Sequence, residues 1–290
     1  MYRKYVELIN RLLPNFKVES CRVLNYGVNS TAVVINRDYV FRFPARQGVL
    51  EEYWVEKKIL DAVRPHIKST SVPAIEICGD SDGAFAWHKV IDGIDYYHAV
   101  GRLEDRGFKR SLAQGLAKFC QEMHSIGTDA IDFVDTRQFS TGEFVFDDKS
   151  HLLGEVLGDE YPGDLEERLS YVDNYKNFDP DDDVLCHNDL HEENFIVNDA
   201  GLSGVIDFSC VTRMKRDSDF THLLEYDPQL AFWTVEEYEK LTGKKIDMEY
   251  AYNVQKVRCY GLLIWFLEEK NEKYIDLFKK LIANLNRIEF

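Results

Sequence analysis

The chain has 290 residues, of which 45% are apolar, enough to bury a substantial core and of a length that suits two lobes sharing one cleft. With 35 basic against 51 acidic residues the formal net charge is −16, which repels phosphate backbones and anionic membranes and attracts cations, so neither nucleic acid nor membrane is an expected partner. No stretch reaches the roughly 18 consecutive apolar residues of a membrane span, and the opening MYRKYVELINRLLP lacks a signal-peptide core and cleavage site, so a cytoplasmic protein is expected.

Tyr2, Val6, Ile9 and Leu13 recur at helical spacing, and Pro14 stops that first helix. From Val18 to Phe43 the pattern turns β-rich: CRVLNY, TAVVI and YVFRF, separated by the turn compositions GVNS and NRD, predict a three-strand meander. Residues 49–63 read as a helix. The apolar run 84–91 reads as a further strand ending at Asp92-Gly93, so strands plus one helix make a small N-terminal lobe. Beyond residue 108 the period becomes helical, with Leu112, Leu116, Phe119, Cys120, Met123 and Ile126 on one face and Gly127 at the end. The runs 184–187, 195–198 and 204–208, bounded by Asp, Asn or Gly, fit a small β insertion in a helical lobe. Thr234 to Glu237 resembles a capping box, and 249–267 and 271–288 are helical, the latter with Tyr274, Phe278, Leu281 and Leu285 on one stripe. The six cysteines, Cys21, Cys78, Cys120, Cys186, Cys210 and Cys259, form no C-x-x-C pair and read as reduced, mostly buried small hydrophobes.

The segment that carries chemistry is His187-Asn188-Asp189-Leu190-His191-Glu192-Glu193-Asn194, followed by Val205-Ile206-Asp207-Phe208. Any one of these taken alone is more often an ordinary turn-forming Asp or Asn. As a spaced set they answer the needs of phosphoryl transfer: a group to orient and deprotonate the attacking hydroxyl, and oxygen ligands for a metal that neutralises charge on the phosphates. Asp189 ends a short apolar strand, Asn194 follows five residues later, and Asp207 ends the next hairpin, a geometry that points all three into one cleft.

The pattern H-x-D-L-x-x-x-N followed by I-D-F resembles the catalytic and metal loops of the aminoglycoside phosphotransferases, closest to those acting at a 2″ hydroxyl. Choline, homoserine and macrolide kinases share the scaffold. The resemblance implies an α+β, two-lobed protein-kinase-like fold, with a β-rich nucleotide-binding lobe over 1–92 and a larger helical lobe over 93–290. Carried over by position, Asp189 is the catalytic base, Asn194 and Asp207 hold Mg2+, His187 braces the loop, and Asp219 of D-x-D-F is the family's structural Asp. Where relatives commonly show Gly-Asp-Pro, this chain has Met214-Lys215-Arg216.

The resemblance also assigns the N-terminal lobe. Tyr26 to Ser30 occupies the place of a nucleotide-covering turn from which Ser30 reaches phosphate, and Glu56 is spaced as the acid that pairs with a strand lysine. Arg42 stands in that lysine's place, keeping the charge but not the compact ammonium geometry. Alternation with Phe41 and Phe43 puts Arg42 on the opposite face, toward Glu56 and the triphosphate. Lys89 to Gly93 matches the hinge, where the backbone of Lys89 and Ile91 would bond the base of ATP or GTP, a choice the sequence leaves open. For the acceptor, Glu192, Glu193, Asp217, Asp219 and Glu225 are candidate members of a cation-binding wall. The acidic run 179–183 reads as a solvated turn, and Tyr252, Tyr260 and Trp265 more as core than as a stacking surface. The expected function is transfer of a γ-phosphoryl group to a hydroxyl of a small cationic acceptor, an aminoglycoside, by a monomeric enzyme. The alternatives are a kinase of another small alcohol, choline-like or an amino-sugar metabolite, and a nucleotide-binding pseudokinase.

Overall fold

A computed structural model describes residues 2–26, 29–99, 102, 104–127, 146, 149–175 and 180–289. Helix α1 (Arg3–Leu12) is followed by β1 (Cys21–Tyr26), β2 (Ser30–Ile35), β3 (Tyr39–Pro44), α2 (Val49–Val63), β4 (Glu76–Asp80) and β5 (Gly83–Lys89). The strands form one antiparallel sheet in the order β1-β2-β3-β5-β4. Alternation gives this sheet two different faces. Val33, Ile35, Phe41, Phe43 and Phe85 bury one face against Tyr5 and Ile9 of α1, whereas Ala32, Arg42 and Ala86, aligned across the three central strands, belong to the other. The expected first helix is present, but its buried residues are Tyr5 and Ile9, and Tyr2 is exposed. Strand β4 was not expected, because EICGD is short, largely polar and edge-placed, without the alternation that marks a half-buried strand.

After the hinge come β6 (Ile94–Asp95), α3 (Arg106–His124), α4 (Ser150–Leu157), α5 (Leu165–Asp173), β7 (Asp183–Cys186), β8 (Phe195–Asn198), β9 (Gly201–Val205), β10 (Thr212–Lys215), α6 (Ser218–Tyr226), α7 (Pro228–Thr242), α8 (Met248–Glu268) and α9 (Glu272–Leu285). The expected β insertion is there as the sheet β6-β8-β9 and the pair β7-β10. The apolar stripe of α3, from Phe108 to Met123, is buried in the main core together with Phe195, Val205, Phe208, Phe220 and Tyr238. The result is an α+β architecture: a small antiparallel sheet region followed by a mainly helical one.

One reading of the C-terminal part needs correction, and one departure from relatives finds its place. Thr234 is no cap: α7 already starts at Pro228, with the Asp227 side chain accepting from Leu230 N, and the Thr234 hydroxyl donates back to Leu230 O at 2.8 Å. The proline at the first helical position, where no N–H partner is needed, was the true start signal. Met214-Lys215-Arg216, which stands where relatives commonly show Gly-Asp-Pro, is built into a strand and a buried ion pair. Met214 and Lys215 lie in β10, paired with Val184 and Asp183, and Arg216 is buried with Nε on Asp182 Oδ1 at 2.6 Å and Nη1 on Tyr238 Oη at 3.0 Å. The acids of the 179–183 run that fall within the described residues, Asp181 to Asp183, thus anchor Arg216 and Arg213; Asp179 falls outside them.

All six cysteines are free thiols, with Cys120, Cys186 and Cys259 buried and Cys210 exposed. No described helix is long and apolar enough to cross a membrane.

Candidate active site

The loop between β7 and β8 is held from beneath by Asp219 of α6. Its Oδ2 accepts from His187 N at 3.1 Å and lies 2.9 Å from His124 Nε2, while Oδ1 accepts from Asn188 N at 2.6 Å. A carboxylate that terminates two successive backbone N–H groups fixes the chain direction there, and Asn188 is thereby held at φ +60°. Asp219 is 1% exposed, with both oxygens committed. It cannot belong to an acceptor-binding wall, and its place is the structural one that the resemblance implied. His187 completes the brace, with its buried ring Nε2 donating to Ile206 O at 3.2 Å.

Above this support, Asn194 Nδ2 donates to Asp189 Oδ2 and to Asp189 O, both at 2.9 Å. Ile206 N in turn donates to Asn194 O at 2.8 Å. The chain therefore ties Asp189, Asn194 and the residue preceding Asp207 into one unit. Asp207 adopts φ +61°, ψ 77°, unusual for a residue with a side chain, and its Oδ1 accepts from Ser209 Oγ at 2.6 Å and Ser209 N at 3.3 Å. Burial works against the Asp207 charge, but Arg42, the Ser209 hydroxyl and His187 outweigh it and hold the carboxyl below its ordinary range. It is an ionised oxygen donor.

The sheet contributes Arg42. Its guanidinium bonds Glu56 at 2.5 Å and lies over the Tyr53 ring, 4.9 Å from the centroid. Burial opposes the charge on Arg42, yet Glu56 and Asp207 hold its pKa above the usual value. Ser30 opens β2 opposite Pro44, two residues along from the Ala32–Arg42 pair, and so shares the Arg42 face of the sheet. Gly27 and Val28 of the expected nucleotide-covering turn lie outside the described residues.

At the hinge the Lys89 side chain is exposed and its carbonyl accepts from His88 Nδ1 at 2.8 Å, while Val90 N donates to Asp38 O at 2.7 Å. Burial lowers the His88 pKa to about 4, so the ring is neutral. Ile91 packs on Gly204, where an added Cβ would come within 2.6 Å of its side chain, and at Gly93 an added Cβ would stand 2.4 Å from Val197 O. Glycine at these two points is what lets the hinge lie against the β8–β9 hairpin.

The expected acidic wall is mostly not a solvent-facing wall. Glu192, Asp217 and Glu225 are 6%, 0% and 3% exposed. Asp217 is paired with Lys215. Glu225 accepts from Gln255 Nε2 at 2.6 Å and from His222 Nδ1 at 3.1 Å; these bonds overcome its burial and keep its pKa below the ordinary value. Glu192 is raised to about 9 by burial, with Glu225, Glu193 and Asp95 adding to the rise, so near neutral pH it is a carboxylic acid and carries no charge. Glu193 alone of the named acids is exposed. A loop position next to a predicted base reads as accessible in sequence; here Glu192 instead turns inward toward Tyr96 and Tyr226, whose own pKa values it helps to raise. Tyr252 and Tyr260 are core, and Trp265 is 48% exposed.

Two residues near Asp189 escaped the sequence reading. His222 Nε2 lies 3.9 Å from Asp189 Oδ1, and Arg258 Nη1 lies 2.6 Å from the same His222 nitrogen. His222 stands three residues after Asp219, a faint local signal, but Arg258 sits mid-helix in α8 with no motif around it. His191, within the motif itself, is the third neighbour, its Nε2 3.7 Å from Asp189 Oδ2.

A model of the phosphotransferase enzyme family matches residues 21–242. Among solved structures, the GDP and kanamycin complex of an APH(2″) enzyme of type IIIa superposes with TM-score 0.77 at 21% identity, over 98% of this chain and 99% of that one. The gentamicin complex of APH(2″)-IIa does so with TM-score 0.64 at 22% identity, over 100% and 97%. A macrolide 2′-phosphotransferase from Brachybacterium faecium gives TM-score 0.68 at 18% identity, over 99% of each chain. At these identities the likeness is one of fold, and it is the family match, spanning the Arg42–Glu56 pair and the Asp189, Asn194 and Asp207 loops, that shows the chain to belong to the phosphotransferase enzyme family.

Proposed function

We propose that the protein transfers the γ-phosphoryl group of ATP or GTP to a hydroxyl of an aminoglycoside, with Asp189 as general base. The observation that supports this reading is the tie from Asp189 through Asn194 to the residue before Asp207, because phosphoryl transfer calls for a base and oxygen donors for a metal close to one another. In this reading the cleft divides lobes 1–92 and 93–290, and the enzyme works in the cytoplasm.

Asp189 Oδ2 is occupied by Asn194, so Oδ1 orients the acceptor hydroxyl and takes its proton as the oxygen attacks. The donor set fits a hard divalent cation: Asp207 is an ionised carboxylate, and Asn194, its amide nitrogen spent on Asp189, offers the carbonyl oxygen. Magnesium bound there would neutralise charge on the β- and γ-phosphates. Arg42 and Ser30 face the phosphates from the sheet, and the backbone of Lys89 and Ile91 borders the base. The formed Arg42–Glu56 pair favours an active enzyme over a pseudokinase, since arginine here makes the contact that lysine makes in relatives.

One observation favours a second reading, a kinase of an acceptor with a single amine: only Glu193 of the named acids offers an exposed charge. Transfer from labelled ATP and GTP across a panel of aminoglycosides, macrolides, choline and amino sugars tests both. Phosphorylation of an aminoglycoside carries the first, labelling only of monoamines replaces it with the second, and nucleotide binding without labelling of anything defeats both.

A further inference from the structure

We infer that Arg258 is a positioning residue that locks His222 in its neutral form and so reserves Asp189 Oδ1 for the acceptor hydroxyl. The inference rests on the reading of Asp189 as the base. A guanidinium has N–H donors and no acceptor, so its 2.6 Å approach to His222 Nε2 requires that nitrogen to be bare. The ring proton must then sit on Nδ1, which is where Glu225 Oε1 accepts it at 3.1 Å. Glu225 is itself fixed from α8, by Gln255 at 2.6 Å and by the Cys259 thiol at 3.1 Å. Helix α8 thus sets both nitrogens of a histidine on α6, one through an arginine and the other through a glutamate.

The consequence falls on Asp189. With Nε2 bare and its lone pair taken, His222 can neither donate to nor protonate Asp189 Oδ1, 3.9 Å away. Among the described residues, the groups facing the imidazole are Asp189 from the catalytic loop, Glu225 on its own helix, Arg258 on α8, and the ring of His191, centroid to centroid 6.3 Å. Without the arginine, a ring lying between two carboxylates takes up a second proton and closes on Asp189 as an imidazolium. The acceptor hydroxyl then competes with an ion pair for the oxygen that should deprotonate it.

The test uses the full chain labelled with 15N-histidine, and the imidazole nitrogens of His222, identified through His222→Asn, are read at pH 7. Wild type is expected to show a neutral ring protonated at Nδ1, Arg258→Met an imidazolium, and Arg258→Lys, which restores a donor, the neutral ring again. In parallel, kcat for phosphoryl transfer should fall roughly 10–100-fold in Arg258→Met with acceptor KM changed less than about twofold, recover in Arg258→Lys, and recover in His222→Asn/Arg258→Met, which has no imidazolium to pair. A wild-type His222 that is charged or protonated at Nε2 overturns the inference, and so does an Arg258→Met enzyme with unchanged ring and unchanged kcat, or a loss that neither second change repairs. The wild-type spectrum needs no turnover and calls on His222→Asn only for its assignment. It therefore judges this inference even if every acceptor fails, an outcome that would count against the function proposed above.

Discussion

Glu56 bonds the guanidinium of Arg42 through Oε2 at 2.5 Å and accepts Phe208 N through Oε1 at 3.3 Å. One buried carboxylate therefore clamps the central strand of the sheet to the residue directly after Asp207. Burial raises the Glu56 pKa, and Asp207 nearby adds to the rise, so the pair depends on Arg42 to keep the carboxyl charged.

Removing Arg42 leaves that carboxylate without its counter-charge. Arg42→Ala is expected to destabilise the fold by roughly 3–5 kcal/mol, the cost of breaking a buried pair from one side, and to weaken ATP binding in a titration followed by calorimetry. Arg42→Lys retains charge but loses the contact over Tyr53, and should bind ATP at least as well as Arg42→Ala by an order of magnitude. Equal affinities for wild type and both variants would remove Arg42 from nucleotide binding.

Asp189→Asn keeps an acceptor for Asn194 Nδ2 while removing the base. Its thermal unfolding should match wild type, and kcat should fall about 10²–10⁴-fold. Asp207→Ala should instead raise the magnesium concentration needed for half-maximal rate. An Asp207→Ala enzyme with the wild-type magnesium dependence would contradict the metal-ligand assignment.

Much of this site was legible because its parts are local. Asp189, Asn194 and Asp207 lie on a hairpin whose turns and apolar runs fix their spacing, and the alternation of Phe41, Arg42 and Phe43 correctly placed Arg42 opposite the aromatic core. What was illegible depends on long-range packing. Glu192 and Glu193 are chain neighbours of identical chemistry, and only the tertiary position of Tyr96 and Tyr226 decides that one is buried and the other exposed. Arg258 reaches the site across α6 from 69 residues beyond Asp189, with nothing in its own helix to mark it.

Asp219 supports the loop through two backbone N–H groups, so its replacement should lower stability and turnover together without altering acceptor choice. Asp219→Asn puts an amide N–H₂ against N–H donors it cannot accept from, leaving at least one buried backbone group unpaired at about 1–3 kcal/mol. A lower melting temperature together with a reduced kcat is expected. A selective rise in acceptor KM with intact stability would return Asp219 to the acceptor wall.

Glu192 gives a stability signature with a definite sign. Its carboxyl titrates near the ordinary glutamate value in the unfolded chain and near 9 in the folded one, so between those values the native state holds a proton that the unfolded state has released. Stability from this group is fully present below about pH 4, where both states are protonated, and declines as pH rises toward 9. Glu192→Gln mimics the protonated acid and carries no such dependence. The variant should therefore match wild type within about 1 kcal/mol at pH 5 and exceed it by roughly 1–3 kcal/mol at pH 8 in urea unfolding. Because Glu192 is uncharged in the native protein near neutral pH, the same substitution should leave the salt dependence of acceptor binding unchanged, whereas Glu193→Gln should weaken that dependence, the exposed charge being the one screened by ions. A wild-type protein more stable than Glu192→Gln at pH 8 would show that Glu192 is ionised in the fold and would put its charge back beside the acceptor.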